Sequence, residues 1–193
     1  LVSYPWILSL DADECLSPEL AEQLRSFKRT KPAAAAYAMA RRAEYLGRWI
    51  GHSGWHPDYK VRLYQRESGR WEGAFVHESV RVTGPVGRLQ GDLLHYTCDS
   101  IAEHVARSNR YTDLAAQELW QSGRRASLSR WFFSPLAAFL KSYIMRAGWM
   151  DGPQGVLIAF FAAYYNFLKY AKLWELAHSA GGASHPAGDQ KAN

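Results

Sequence analysis

The sequence predicts an α/β fold in which strands fill the first half of the chain and helices fill the second. Three patterns carry this prediction. Leu1–Leu10 is a mostly apolar run of strand length, residues 59–65 alternate polar and apolar side chains, and from Ser100 onward apolar and small residues recur at helical spacing. A length of 193 residues suits one globular unit with appendages.

The first half is predicted to contain one helix between strands. The helix begins at Ser17, a capping residue that Pro18 follows, and it ends before Pro32. The apolar first strand is typical of the middle of a parallel sheet, and the acidic residues 11–14 occupy the turn that follows it. Further strands are predicted over 35–41, 59–65 and 86–96, with a glycine-rich loop over 47–58.

The second half is predicted to be helical. Ser100 is a plausible cap for the first of these helices, and 131–149 and 155–176 supply further helical segments. The apolar run 156–165 is shorter than the ~18 to 20 residues needed to cross hydrocarbon, so it is predicted to be buried or interfacial. Three regions follow: 1–99 with the strands, 100–176 with the helices, and a disordered tail over 177–193.

Composition narrows the location and the class of partner. Cys15 and Cys98 provide neither a disulfide framework nor a CxxC motif, and no signal peptide is visible, so a cytoplasmic location is predicted. The net charge is +5, and the basic excess lies in 101–176, with nine basic and five acidic residues. Because the basic residues are scattered and no nucleic-acid-binding signature occurs, no nucleic acid partner is expected.

Asp11 and Asp13 form the motif with the clearest chemical meaning. Two carboxylates at the end of a strand are hard oxygen ligands for Mg²⁺ or Mn²⁺, and such an ion can bridge to a diphosphate. The alternative is that these acids simply favour the N-terminal end of the following helix. A short motif of this kind does not decide between the two interpretations.

A series of motifs in a fixed order adds a resemblance. The segment Trp6–Glu14 resembles the DxD segment of family 2 glycosyltransferases with the GT-A fold. The later motifs come in the order found in bacterial lipopolysaccharide core enzymes of the β-glucosyltransferase type. They are residues 55–64, Gly73, 76–78, 94–96, 109–112, 151–152 and 169–175.

This resemblance covers the chain up to its tail and implies a fold and an activity. The fold is a partial GT-A, Rossmann-like sheet followed by amphipathic helices. The activity is metal-dependent, inverting transfer of a sugar from a nucleotide sugar, a UDP-sugar, to a lipid-linked saccharide such as lipopolysaccharide core. The strands that hold uracil and ribose in this family have no counterpart here, so the chain looks like a C-terminal portion and is not expected to act alone.

The resemblance also assigns residues to the metal and the donor. Asp13 and His95 match the positions of metal ligands, and Asp11 and Asp13 match donor contacts. Lys60 and Arg62 are candidates for contact with phosphate, although a solvated basic strand face is the common explanation for such residues. His95 alone is more often a structural residue than a ligand.

Further residues are assigned to catalysis and to the sugars. Glu78 matches the catalytic base, although without the resemblance a surface carboxylate paired with Arg81 or Arg62 is the preferred interpretation. His77 is a candidate for support or contact at the same place, and Asp58 is the next candidate base. Trp55 and Trp71 are candidate sugar-stacking rings, for which packing in the core is the alternative.

The aromatic load of the helices suggests a place of action. Thirteen aromatic residues lie between Trp131 and Trp174, together with Arg130, Lys141, Arg146, Lys169 and Lys172. Rings with flanking cations suit the surface of an anionic bilayer, although such a stripe is more often core. The prediction is a peripheral protein on the inner face of the bacterial inner membrane. The competing class is a non-catalytic module that binds a membrane surface or a partner.

Overall fold

A computed structural model describes residues 4–30, 32–72 and 79–182, with side chains through residue 179. Within these residues the chain forms two small sheets and four α-helices, and so the α/β class is confirmed. The strands are β1 Trp6–Leu8, β2 Glu14–Leu16, β3 Ala36–Tyr45, β4 Arg48–Trp49, β5 Asp58–Gln65, β6 Gly69–Glu72, β7 Ser79–Val82 and β8 Val86–Cys98. The helices are α1 Pro18–Phe27, α2 Ile101–Gln121, α3 Leu128–Leu140 and α4 Gly152–Gly182.

The main sheet is mixed and has the strand order β1-β5-β3-β8-β2, with β4 paired to the end of β3. β3 and β8 run parallel, and the other neighbours are antiparallel. Strands β6 and β7 form a separate antiparallel ribbon. Among the described residues β1 pairs only with β5 and is antiparallel to it, whereas the sequence predicts a place inside a parallel sheet.

One face of the sheet packs on α1. Ser17 caps this helix as predicted: its hydroxyl oxygen accepts from the backbone N–H of Leu20 at 3.2 Å and from that of Asp92 in β8 at 3.1 Å. Leu20 then packs against the core residues Met39, Leu63 and Leu93. The cap therefore fixes the helix to the sheet at the point where the first core begins.

A second core joins the far end of the sheet to the helices. It contains Tyr45, Ile50, Cys98 and Ile158 of α4. Burial raises the pKa of Tyr45 to about 12, with a further contribution from Cys98, and burial followed by the charge of Arg107 lowers the pKa of His104 to about 4. Both groups are neutral near pH 7, so the Tyr45 hydroxyl can donate to Nδ1 of His104 at 2.8 Å.

The helices differ from their predicted bounds. Helix α3 ends at Leu140 and continues as a π-turn over Lys141–Met145, and a 3₁₀ turn over Gly148–Asp151 precedes α4. Helix α4 extends to Gly182, beyond the predicted end at residue 176, while 183–193 lie outside the described residues. No helix of the described chain is long and apolar enough to cross a bilayer.

Asp151 fastens the loop after β4 to these helices. Its side chain is buried and accepts from the backbone N–H groups of Gly51 and His52 at 3.1 and 3.0 Å. Nδ1 of His52 lies 3.1 Å from the same carboxylate. Two residues of the loop, Gly51 and His52, are thus held to the helical half by one buried acid.

We predict that Gly91→Ala lowers the free energy of unfolding by about 1–3 kcal/mol more than Gly47→Ala does. Both glycines have positive φ, +86° and +75°, so both variants carry the same backbone strain. A Cβ at Gly91 would lie 2.6 Å from the backbone nitrogen of Leu20, whereas one at Gly47 meets nothing within 4 Å. Urea unfolding of the two variants measures the difference, and equal losses would contradict close packing of α1 on β8.

Candidate functional site

A cleft of about 510 Å³ lies along β5 and collects several of the predicted residues. Four consecutive residues of β5, positions 59–62, line it, and Arg41 of β3 lies beside them. The remaining lining residues are Asp11, Trp71, Ser79, Val80 and Tyr111. Asp11, Lys60, Arg62 and Trp71 are therefore brought together as the sequence predicts.

Arg62 lies at an irregularity in the sheet. Tyr37 of β3 pairs with Leu63 and the next residue, Ala38, pairs with Val61, so Arg62 is an extra residue in β5. A bulge of this kind redirects a side chain that would otherwise follow the alternation of the strand. Here it turns a guanidinium toward the acidic turn after β1.

Two carboxylates hold this guanidinium. Nη2 of Arg62 forms an ion pair with Oδ2 of Asp11 and lies 2.6 Å from Oε1 of Glu14. The side chains of Arg62 and Glu14 are 7% and 0% exposed, whereas that of Asp11 is 50% exposed. Burial by itself would lower the pKa of Arg62, but the hydrogen bonds and charges of Glu14 and Asp11 outweigh it and raise the pKa, so the group stays charged.

The acidic turn is also closed by its own backbone. The N–H of Asp11 donates to Oε2 of Glu14 at 3.1 Å, and the N–H of Glu14 donates to the carbonyl oxygen of Asp11 at 3.1 Å. Glu14 begins β2, which pairs with β8 opposite His95. The turn is thus fixed on one side to β5 by Arg62 and on the other to β8 by the strand ladder.

Asp13 lies on the other side of this turn, against His95. Oδ2 of Asp13 and Nε2 of His95 are 3.1 Å apart, and their side chains are 48% and 13% exposed. Burial and then the charge of Arg41 lower the pKa of His95, against the opposing charge of Asp13. The ring is therefore neutral near pH 7, and neutral imidazole is the form that binds metals. Neither residue lines the cleft itself.

The described residues offer few ligands for a divalent ion. The described part of the chain contains no group of three or more His, Cys, Asp or Glu side chains able to hold a metal. Asp13 and His95 offer one oxygen and one nitrogen, while Asp11 is paired with Arg62. Mg²⁺ is commonly held by one or two carboxylates plus substrate phosphates, and imidazole favours Mn²⁺ over Mg²⁺. The pair therefore supplies two ligand atoms, and the metal role of Asp13 and His95 stays a prediction.

Asp58 is bound by two cations. Its Oδ2 lies 2.7 Å from Nη2 of Arg41, and its Oδ1 lies 3.1 Å from Nζ of Lys60. Arg41 and Lys60 line the cleft, and Nη1 of Arg41 is 3.8 Å from Glu14. The cleft thus carries three cations, Arg41, Lys60 and Arg62, with the exposed carboxylate of Asp11 among its lining residues. Each of these cations is already paired with Asp58, Asp11 or Glu14, so an anionic ligand would share the cations with these carboxylates.

The two candidate tryptophans lie in different places. Trp71 is 46% exposed in the cleft, and its indole N–H donates to the Tyr64 hydroxyl at 3.2 Å. Trp55 packs edge to face on Tyr45, with 5.5 Å between ring centroids, in the second core. It also borders a second cleft of about 350 Å³, so it does not share the first cleft with Trp71.

Two predicted residues, Glu78 and His77, lie outside the described residues. The residue that follows Glu78 in the chain, Ser79, lines the cleft. The role of Glu78 as a base therefore stays a prediction, and so does the contact assigned to His77.

Sequence reasoning missed several residues of the site. Arg41 and Glu14 were not candidates because nothing in a single sequence indicates which cations and acids a sheet brings together. Tyr59 and Tyr111 were missed for the same reason, although Tyr111 lies within one of the resemblance motifs. The charge of Glu14 beside Asp11 and Asp13 was the one available signal.

Comparison with known proteins supports the resemblance. The chain is 30% identical over 175 residues to the lipopolysaccharide core biosynthesis glycosyltransferase LpsC of Rhizobium meliloti (strain 1021), a match that covers 90% of this chain and 65% of that protein. It is 26% identical over 183 residues to uncharacterized glycosyltransferases of Rickettsia prowazekii (strain Madrid E) and Rickettsia typhi (strain ATCC VR-144 / Wilmington), covering 89% of this chain and 63% of each. The predicted resemblance to lipopolysaccharide core glycosyltransferases is thereby confirmed.

These matches cover only part of the length of each relative. The chain spans just under two thirds of the length of the relatives, 65% of the first and 63% of the next two. No family model matches the chain, and no solved structure matches it.

Proposed function

We propose that this chain forms part of a glycosyltransferase that moves a sugar from a nucleotide sugar to a saccharide acceptor. One observation carries the proposal. In a chain similar to named glycosyltransferases, a cleft with three cations adjoins an acidic turn whose second aspartate lies against a histidine. This arrangement offers positive charge for a diphosphate on one side and ligands for a divalent ion on the other.

The donor is proposed to be a UDP-sugar whose diphosphate lies in this cleft. Lys60, whose side chain is 42% exposed, would face the phosphate oxygens. Arg62, 7% exposed and paired with Asp11 and Glu14, and Arg41 would add their positive charge to the cleft. Asp13 and His95 would hold Mg²⁺ or Mn²⁺, which when bound supplies further positive charge at the diphosphate. Asp11, because Arg62 fixes it, would orient the donor by hydrogen bonding.

The transfer is proposed to invert the anomeric centre in a single displacement. The acceptor oxygen forms a bond to the anomeric carbon while the bond to the diphosphate oxygen breaks, and the diphosphate leaves with that electron pair. The acceptor proton passes to the Glu78 carboxylate, because a neutral hydroxyl is a poor nucleophile. Asp58 is a less suitable base, since Arg41 and Lys60 already pair with its charge.

The acceptor is proposed to be a lipid-linked saccharide such as lipopolysaccharide core. The support is the name of the Rhizobium meliloti relative, which refers to lipopolysaccharide core biosynthesis. Trp71, exposed in the cleft, is the ring best placed to stack on a sugar. Such an acceptor places the protein on the inner face of the bacterial inner membrane.

A second candidate function is a non-catalytic module that attaches to a membrane surface or a partner. The observation that favours it is α3, a helix in which no residue is buried. The two functions differ in whether the acidic turn binds a donor, so an experiment on Asp13 separates them.

We predict that, in the complete enzyme, Asp13→Ala abolishes the increase in UDP-glucose affinity that Mn²⁺ produces. The variant removes the exposed carboxylate that lies against His95 but leaves the Arg62 ion pairs intact, so the fold is retained. Calorimetric titration of UDP-glucose with and without Mn²⁺ measures the effect. Asp99→Ala, which removes an exposed carboxylate at the start of α2, is the matched control. Unchanged affinity in Asp13→Ala would remove the metal role and favour the non-catalytic function.

We also predict that Glu78→Gln lowers turnover by on the order of 10² or more while donor affinity is nearly retained. Glutamine keeps the size and hydrogen bonding of the side chain but does not accept the proton. Glu72→Gln, on β6 and 59% exposed, is the control and should keep full turnover. Steady-state kinetics with the complete enzyme and its acceptor provide the measurement, and retained turnover in Glu78→Gln would assign the base elsewhere.

A further inference from the structure

The outer face of α3 is apolar and exposed. Its large side chains recur every four residues and continue into the π-turn, which places them in one row along the helix. The row consists of Leu128 (68% exposed), Phe132 (75%), Leu136 (55%), Leu140 (40%) and Ile144 (60%), with Phe133 (68%) and Met145 (79%) beside it. We call these seven residues the α3 surface.

The opposite side of α3 is already occupied by α4. The ring of Trp131 stacks on Phe167 and Trp174 with centroid distances of 5.8 and 6.0 Å. The Ser134 hydroxyl also donates to the side-chain oxygen of Asn166 at 3.2 Å. The helix is therefore fixed to the protein through its inner side, while nothing among the described residues covers the α3 surface.

The segment that carries this surface contains charges of one sign only. Residues 119–150 contain five basic residues and no acidic residue. Arg130, Lys141 and Arg146 are exposed, and their side chains form no ion pair with any described acid. The next acid, Asp151, is 3% exposed and bound to the loop at Gly51 and His52. The apolar row and the unpaired cations thus belong to one segment of the chain, in which Lys141 and Arg146 also line the second cleft.

The structure differs from the sequence prediction in which cations are free to contact lipid. The sequence suggests Lys169 and Lys172 as membrane-facing residues, but Lys172 is 17% exposed and forms an ion pair with Asp113 at 2.7 Å. It also donates to the carbonyl oxygen of Asn109 at 2.7 Å. Lys169 donates to Asn166 at 3.1 Å. Lys172 thus joins α4 to α2, and Lys169 is engaged within α4 by Asn166 and the ring of Tyr170. Of the described cations that the sequence suggests, those without such partners are the cations of α3 and the π-turn.

We propose that the α3 surface docks on a bilayer that contains anionic lipid. The seven apolar side chains enter the boundary between headgroups and acyl chains, and Arg130, Lys141 and Arg146 meet lipid phosphates. A second copy of the chain is a poorer occupant, because a symmetric contact through this surface would bring the cations of one copy against those of the other. The inference deepens the proposed function, since it places the cleft near a lipid-linked acceptor.

Vesicle co-sedimentation of the full chain tests this inference without a nucleotide sugar. Binding is expected to be strong to vesicles of phosphatidylcholine mixed with phosphatidylglycerol, weak to phosphatidylcholine alone, and reduced by salt. Arg130→Glu with Lys141→Glu should lower the partition coefficient at least about tenfold. The control, Lys28→Glu with Arg29→Glu, makes the same change in net charge at exposed residues after α1 and should leave binding unchanged.

A separate pair of variants tests the contribution of the apolar side chains of the α3 surface. Phe132→Ser with Ile144→Ser should lower binding to the mixed vesicles about tenfold or more, because the exposed ring of Phe132 and the exposed branched chain of Ile144 no longer enter the bilayer. Val86→Ser with Ile101→Ser removes side chains of 48% and 41% exposure elsewhere and should leave binding unchanged. Circular dichroism of each variant checks that the fold is retained.

Three results would overturn the inference. They are equal binding to both kinds of vesicle, no loss of binding in Arg130→Glu with Lys141→Glu, and a concentration-dependent dimer that Phe132→Ser with Ile144→Ser abolishes while vesicles are not bound. The last result would assign the α3 surface to a second copy. If vesicle binding fails while Mn²⁺ still raises UDP-glucose affinity, the docking inference fails and the proposed transferase function stands.

Discussion

The ion pairs of Arg62 with Asp11 and Glu14 are the interaction on which the candidate site depends. Glu14 has no exposed side-chain surface and Arg62 has very little, so each charge is tolerated only because the other is present. The bulge in β5 makes the contact possible by turning Arg62 out of the strand alternation. Without the pair, the turn after β1 would leave a buried charge unbalanced and would lose its attachment to β5.

Because Arg62 pairs with Asp11 and not with Asp13, the two aspartates of the turn have different surroundings. Asp11 is fixed beside the cations of the cleft, whereas Asp13 is left half-exposed against the neutral ring of His95. A cationic cleft and a pair of potential metal ligands therefore lie on two sides of one short segment. The two C-terminal helices have different environments. Helix α4 contributes to the second core, whereas α3 packs on α4 with one side and exposes an apolar row on the other.

The sequence predicted the elements that depend on residues close together in the chain, such as helix caps. The Ser17 and Ser100 caps, the position of strand β5 and the start of α2 follow the sequence closely. The predicted solvated face of β5 is wrong at Arg62, which is buried because the bulge breaks the alternation and two carboxylates pair with its charge. Strand β2 and the extension of β3 to Tyr45 were missed, because pairing with the distant strand β8 creates them. Strand β4 was missed because it is only two residues long and forms a tight hairpin with the end of β3 inside the predicted loop. In the site, Asp11, Lys60, Arg62 and Trp71 came together as expected, but Arg41 and Glu14 could be found only from the fold, and Trp55 lies in the second core.

A double-mutant cycle on Arg62 and Glu14 tests the central claim most directly. Urea unfolding would give the free energies of Arg62→Met, Glu14→Leu and the variant with both changes. Each single variant should lose about 3–5 kcal/mol, because it leaves one buried charge unpaired, and the double variant should lose much less than the sum. Arg81→Met, which removes a 76% exposed side chain, should stay within about 0.5 kcal/mol of the parent. Additive losses in the double variant would contradict the account.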